Sequence, residues 1–137
     1  MIPSAVVDSS IVMRWFIHDR WSDAALLATE KYRLIAPAFI KVEIASALRS
    51  QARFGGLPVD VVLRHLEGFE AQISVFDDGP LLSSAFRLAF DRDHPVYDCV
   101  YLALALRQGV PMLTADMKLA RKFMDMPGLQ ILTPETL

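Results

Sequence analysis

Residues 5–10 read Ala5-Val6-Val7-Asp8-Ser9-Ser10, a short apolar run that stops at a carboxylate followed by two hydroxyls. A strand covered on both faces needs apolar residues pointing both ways, and this run fits that requirement. Ser9 or Ser10 can then cap a following helix. In open α/β sheets ligands bind outside the carboxyl ends of the strands, where this reading puts Asp8. Taken alone, Asp8 serves equally well as a helix cap, so chemistry at this point requires further acids that converge on it.

Outward from this stretch, strands and helices alternate. Ile11 to Ile17 reads as a short apolar helix ending near His18-Asp19-Arg20, and Ser22-Asp23 opens a second that runs to about Lys31. Trp15 and Trp21 flank the junction as packing residues. Arg33 to Ala36 is a strand stopped by Pro37, followed by a helix from Ala38 to Phe54 that Gly55-Gly56 closes. Leu57-Pro58 begins a helix ending near Gln72, and Ile73 to Phe76 is the third strand. Asp77-Asp78 reads as a turn and helix cap. A helix with Leu81, Ala85, Leu88 and Ala89 inward runs to about Phe90, and Asp91-Arg92-Asp93 follows as a solvated charge run. The most apolar helix, Val100 to Leu106, starts from His94-Pro95-Val96-Tyr97-Asp98 and is closed by Gly109; His94 reads as local structure ahead of a proline. Val110 to Leu113 and Leu129 to Leu132 complete the strands. This order predicts an α/β fold, a parallel sheet with helices on both faces, in one domain spanning residues 1–137.

Composition sets the outer limits. The chain has 137 residues, 53% of them hydrophobic, and a mean hydropathy of +0.33, which points to a surface hidden by a second copy or another chain. A net charge of −2 excludes a global electrostatic pull on nucleic acid and leaves only local basic clusters for that role. Cys99 is the single cysteine, so no internal disulfide forms, in keeping with a reducing cytosol. The start lacks a signal-like basic and apolar pair of regions, and no run reaches the roughly 18 apolar residues of a membrane helix. These features predict a soluble, cytoplasmic protein.

Four acids occupy comparable places. Asp8 and Asp116, the latter in Thr114-Ala115-Asp116, lie just past strand ends, while Glu43 and Asp98 lie in the first turns of helices. Glu43 shares its helical face with Phe39, Ile40 and Ala47, and on such a stripe a carboxylate needs a cation, a metal or an exit to solvent. In a parallel sheet with right-handed crossovers, strand ends and the starts of the following helices fall on one edge. Acids meeting there repel and raise one another's pKa values, and a divalent cation with hard oxygen ligands, magnesium or manganese, resolves the conflict. No cluster of Cys and His points to zinc. Metal ions held this way, about 4 Å apart where there are two, activate water for phosphodiester hydrolysis. Lys118, Arg121 and Lys122 follow Asp116 and can present positive charge to a polyanion, or form an ordinary solvated helix face.

The motifs Val-Val-Asp8-Ser-Ser, Ile-Lys-Val-Glu43-Ile-Ala, His-Pro-Val-Tyr-Asp98-Cys-Val-Tyr-Leu-Ala-Leu-Ala and Leu-Thr-Ala-Asp116-Met-Lys-Leu-Ala-Arg-Lys together resemble the acidic motifs of PIN-domain nucleases, most nearly the VapC-type toxins of toxin–antitoxin pairs. The resemblance implies a PIN-like three-layer α/β/α fold with a mostly parallel sheet of four to five strands. It also implies magnesium- or manganese-dependent endoribonuclease activity, homodimerisation, and inhibition by a cognate VapB-type antitoxin. It puts Asp8, Glu43, Asp98 and Asp116 on the metal as the catalytic set, with Ser9, Ser10 and Thr114 as supporting hydroxyls. A further acid sometimes found near the fourth is replaced here by Met117 and Lys118. Two other functions compete: a PIN scaffold that occupies RNA or a ribosome without cutting it, and a small-substrate phosphatase. The phosphatase lacks an Asp-x-Asp pattern after the first strand and a glycine-rich phosphate loop.

Overall fold

A computed structural model describes residues 1–137. The Ala5-Val6-Val7 run forms the centre of the sheet as β1 (Ser4–Val7), and all three residues are fully buried. β2 (Arg33–Pro37) and β4 (Met112–Leu113) flank it, with β3 (Ile73–Phe76) and β5 (Ile131–Leu132) outside them. The order is β3-β2-β1-β4-β5 and every pairing is parallel, so all five strands end on the same edge. The helices are α1 (Ser9–Val12), α2 (Ser22–Lys31), α3 (Ile40–Phe54), α4 (Val59–Gly68), α5 (Leu82–Arg92), α6 (Val96–Gln108) and α7 (Met117–Phe123). This is the predicted three-layer α/β/α arrangement.

α6 is the main helical support. Cys99 through Ala105 are buried without a break, since the helix packs on β1, β2 and β4 and is covered outside by α5. A helix apolar all round belongs in such a place. It closes with Gly109 in the left-handed region (φ 66°) and Val110 N–H donating to the Ala105 carbonyl at 3.1 Å.

That cap explains one difference from expectation. Val110 belongs to the end of α6, and Pro111 has no N–H to give a ladder, so β4 is shorter than the Val110–Leu113 run; the Pro111 carbonyl still accepts from Val6 N at 2.8 Å. Leu129 likewise turns back, N–H to the Met126 carbonyl at 3.2 Å, and leaves β5 with Ile131 and Leu132. The Ile11–Ile17 helix is also shorter than predicted. α1 tightens after Val12 into a 3₁₀ turn, Met13–Trp15, where the Arg14 guanidinium takes the Ser10 carbonyl at 2.5 Å and the Trp15 indole donates to the Ala25 carbonyl at 2.9 Å. Pro37, read as a stop, is instead the last residue of β2.

Two charged stretches have more specific uses than the sequence suggests. Asp77 does cap its own turn, accepting from Gly79 N at 3.2 Å, but Asp78 reaches across to Phe39 N at 3.2 Å and fixes the start of α3. Asp91-Arg92-Asp93 is not simply solvated. Asp93 ends α5 in the left-handed conformation (φ 50°), with His94 N–H closing on the Ala89 carbonyl at 3.0 Å. Arg92 bridges to the Lys122 carbonyl at 2.9 Å and to Asp125 at 2.8 Å, and Lys122 returns its ammonium to the Asp93 carbonyl at 2.5 Å. These bonds pin the end of α7 to the α5–α6 corner.

Leu104→Ala, at a site 1% exposed in the centre of α6, is expected to lower unfolding free energy by about 2–5 kcal/mol in urea titrations. Val42→Ala, 70% exposed on α3, is expected to change it by less than about 0.5 kcal/mol.

Candidate active site

Asp8 leaves β1 at the carboxyl edge of the sheet and is only 6% exposed. Its backbone N–H still belongs to the sheet, donating to the Leu113 carbonyl at 3.3 Å, while its side chain caps α1. Oδ1 accepts from Ser10 N at 3.1 Å, Ser10 Oγ at 2.5 Å and Ile11 N at 3.4 Å; Oδ2 accepts from Thr114 Oγ1 at 2.5 Å. Both hydroxyls also accept, Ser10 Oγ from Ala115 N at 2.8 Å and Thr114 Oγ1 from Asp116 N at 3.0 Å. Each therefore gives its one proton to Asp8 and takes a backbone proton from the chain after β4. The helix cap that the sequence offers at Asp8 is therefore real, and the same carboxylate stands at the carboxyl edge of the sheet.

Burial pushes the Asp8 pKa up to about 6, against the pull of the Ser10, Thr114 and Ile11 hydrogen bonds, with the Asp98 charge adding to the rise. Glu43, in the first turn of α3, accepts from the Tyr101 hydroxyl across the α3–α6 contact. Its pKa is also raised, chiefly by burial; the Tyr101 bond opposes the rise and Asp98 again adds to it. Asp98, in the first turn of α6, thus acts electrostatically on both, which places the three carboxylates in one neighbourhood. Its Oδ2 lies 2.7 Å from His94 Nε2. No basic side chain is among the charges acting on Asp8 or Glu43.

Asp116 joins this group through the backbone. Its N–H is bound by Thr114 and its Oδ1 caps α7 at Leu119 N, 3.1 Å, while the residue itself is exposed. Ser9 lies against the Tyr101 hydroxyl, so it supports a different oxygen from Ser10. Lys118 and Arg121 are exposed on α7, whereas the Lys122 ammonium is engaged at Asp93.

Tyr101 is a site residue that sequence reasoning passes over, and His94 is one it reads as merely local. The signals were present: Tyr101 lies three residues after Asp98 and His94 four before it, and a phenol on a fully buried helix requires a partner for its hydroxyl. Burial and the neighbouring Glu43 carboxylate push the Tyr101 pKa far up, so it stays a neutral donor.

No three of the acidic, histidine and cysteine side chains form a group close enough to hold a metal ion in this arrangement. The fit to a divalent cation lies in donor type and charge: hard carboxylate oxygens, mutually repelling, without a basic counter-charge on Asp8 or Glu43. There is no preformed cage.

The raised Asp8 pKa has a consequence for stability. The folded state holds this proton more tightly than the unfolded chain, whose pKa is near 3.8, so the stabilisation is complete below that value and is lost as pH climbs through about 6. Two pKa units correspond to on the order of 3 kcal/mol. In urea titrations with EDTA, wild type is expected to lose stability relative to Asp8→Asn between about pH 4 and pH 7, the gap then levelling off. A pH-independent gap contradicts this.

Comparison with known proteins agrees with the geometry. Residues 5–122 match the PIN domain family. The chain is 34% identical over 125 residues to Ribonuclease VapC3 of Pyrobaculum aerophilum, covering 86% of this chain and 93% of that protein. Among solved structures, a protein from Pyrobaculum aerophilum superposes with a TM-score of 0.74 at 26% identity, over 99% of this chain and 94% of the other. A chain of a toxin–antitoxin complex from Klebsiella pneumoniae shares the fold with a TM-score of 0.71 at 16% identity, over 98% of this chain and 100% of the other. With Asp8, Glu43, Asp98 and Asp116 all inside the matched span, and a relative aligned along most of both chains, this protein belongs to the PIN-domain family, among its VapC-type members.

Proposed function

We propose that this chain is an endoribonuclease toxin that hydrolyses RNA phosphodiester bonds and is neutralised by a VapB-type antitoxin. The observation that carries this reading is the convergence of Asp8, Glu43 and Asp98 at the carboxyl edge of the sheet with no basic side chain acting on Asp8 or Glu43. The relative named as a ribonuclease and the toxin–antitoxin complex sharing the fold support the same assignment. No helix is long and apolar enough to cross a membrane, in keeping with action in the cytoplasm as a single PIN domain over residues 1–137.

Magnesium or manganese, held by Asp8, Glu43, Asp98 and Asp116, would supply the activation of water and the neutralisation of charge on the phosphate. The chain's own residues prepare that chemistry. Ser10 and Thr114 fix both oxygens of Asp8, so the carboxylate keeps one orientation. Asp98 offers the oxygen that His94 leaves free, and Glu43 the oxygen that Tyr101 leaves free. Lys118 and Arg121 stand exposed on the helix that Asp116 caps, where they meet a backbone phosphate beside the acids. The apolar surface, including Leu63, Phe86, Phe90 and Tyr97, supplies area for a homodimer and for the antitoxin.

Purified protein freed of its partner is expected to cut cellular RNA with magnesium, leaving 5′-phosphate and 3′-hydroxyl ends. EDTA, Asp8→Asn or Asp98→Asn is expected to lower the rate by about a hundredfold or more while the protein stays folded by circular dichroism. Cleavage at the wild-type rate in both variants sinks the assignment; growth inhibition without cleavage or metal favours an RNA- or ribosome-occupying scaffold instead. Replacing Lys118 and Arg121 by Ala is expected to weaken RNA binding and flatten its salt dependence, the slope of log affinity against log salt falling by about 0.7 per lost phosphate contact.

A further inference from the structure

Two side chains next to the acids each bring a buried polar atom against a carboxylate of the site. The His94 side chain is 6% exposed, with its ring edge-to-face on buried Phe123 at 5.3 Å between centroids and 88° between planes. Nε2 lies 2.7 Å from Asp98 Oδ2. The ring is held from behind: the left-handed Asp93 corner sets the backbone, and Arg92 and Lys122 tie that corner to the end of α7, the helix that carries Phe123. Tyr101 is 1% exposed, lies tilted by 55° against Phe39 just ahead of α3 with 5.1 Å between centroids, and donates its hydroxyl to Glu43 Oε1. Neither group is exposed enough to be a primary RNA contact.

We propose that His94 and Tyr101 are positioning residues of the nuclease site, His94 selecting which oxygen of Asp98 faces the cleft and Tyr101 doing the same for Glu43. This inference rests on the reading of the site as a metal-dependent ribonuclease. Its logic is that a carboxylate in a short helical first turn rotates freely about its last bond unless one oxygen is tied. Tying Oδ2 of Asp98 and Oε1 of Glu43 leaves one defined oxygen on each. Asp8 is held at both oxygens, by Ser10 and Thr114, so each of the three clustered acids is oriented by a side-chain partner. Partners of metal-binding carboxylates and imidazoles typically alter affinity or rate by about 10- to 100-fold when removed.

The test uses Tyr101→Phe, which deletes only the hydroxyl, and His94→Phe, which keeps an aromatic ring against Phe123 and removes both ring nitrogens, together with His94→Gln, whose amide still reaches a carboxylate. Manganese binding is measured by calorimetry without RNA, and kcat and KM are measured on a cleaved RNA. Each Phe variant is expected to bind manganese about 10- to 100-fold more weakly and to lose kcat by a similar factor with KM for RNA little changed, while His94→Gln recovers part of both. Wild-type manganese affinity and kcat in both Phe variants overturn the inference, as does a drop in melting temperature with metal affinity unchanged, since that marks a structural role. If wild type itself neither binds manganese nor cuts RNA, the nuclease reading falls and takes this inference with it; cutting by wild type and by both variants alike leaves that reading standing and removes only the positioning roles.

Discussion

The burial of one carboxylate organises this molecule. Asp8 sits at the end of the central strand, and its two oxygens accept from a serine two residues away and a threonine 106 positions on. A buried charged group is tolerated only when it is fully hydrogen-bonded. Here the donors also join the segments after β1 and β4, because Ser10 and Thr114 each take a backbone proton from Ala115 or Asp116. The same few bonds therefore satisfy the acid, cap α1 and hold the two strand ends in register. Any rearrangement that releases Asp8 must also loosen the β1–β4 edge.

The second constraint is α6. Its burial from Cys99 to Ala105 fixes its axis against the sheet, and its first turn is then committed to the carboxyl edge. Asp98 cannot retreat from Asp8 and Glu43 without moving this helix out of the core, which involves fully buried Leu102 and Leu104. The repulsion among the acids is thus opposed by hydrophobic packing rather than relieved by separation. The corner from Asp93 to Val96 adds to the hold, since Arg92 and Lys122 lock it to α7 and so couple the His94–Asp98 pair to the helix that starts at Asp116.

These features differ in how far the sequence reveals them. Asp8, Glu43, Asp98 and Asp116 stand out because strand ends and helix starts are local events, readable from apolar runs and their stops. The alternation of strands and helices then predicts a parallel sheet that gathers such positions on one edge. What remained hidden is tertiary. Tyr101 bonds Glu43 across 58 residues and Asp78 caps Phe39 across 39, and no local pattern encodes either pairing. Val110 looked like strand on β propensity, but Gly109 draws its N–H back to α6, so the helix end prevailed over the strand start. The Asp91-Arg92-Asp93 run looked solvated because charge is usually exposed; its use depends on α7 lying alongside, which composition does not show.

Hydrogen bonding and desolvation pull the site in opposite directions, and their balance explains its character. Ser10, Thr114 and Ile11 favour ionised Asp8, yet burial outweighs them and its pKa rises. If structural stability alone governed position 8, an asparagine would cap α1 without the desolvation penalty. If solvation alone governed it, the residue would lie outside the sheet edge like exposed Asp116. A carboxylate that is both buried and bound, beside two others, keeps its charge near neutral pH at a cost to the folded state. That cost is chiefly desolvation, with the charge of Asp98 adding to it. Whatever binds these carboxylates in the folded state and not in the unfolded chain stabilises the sheet edge by mass action.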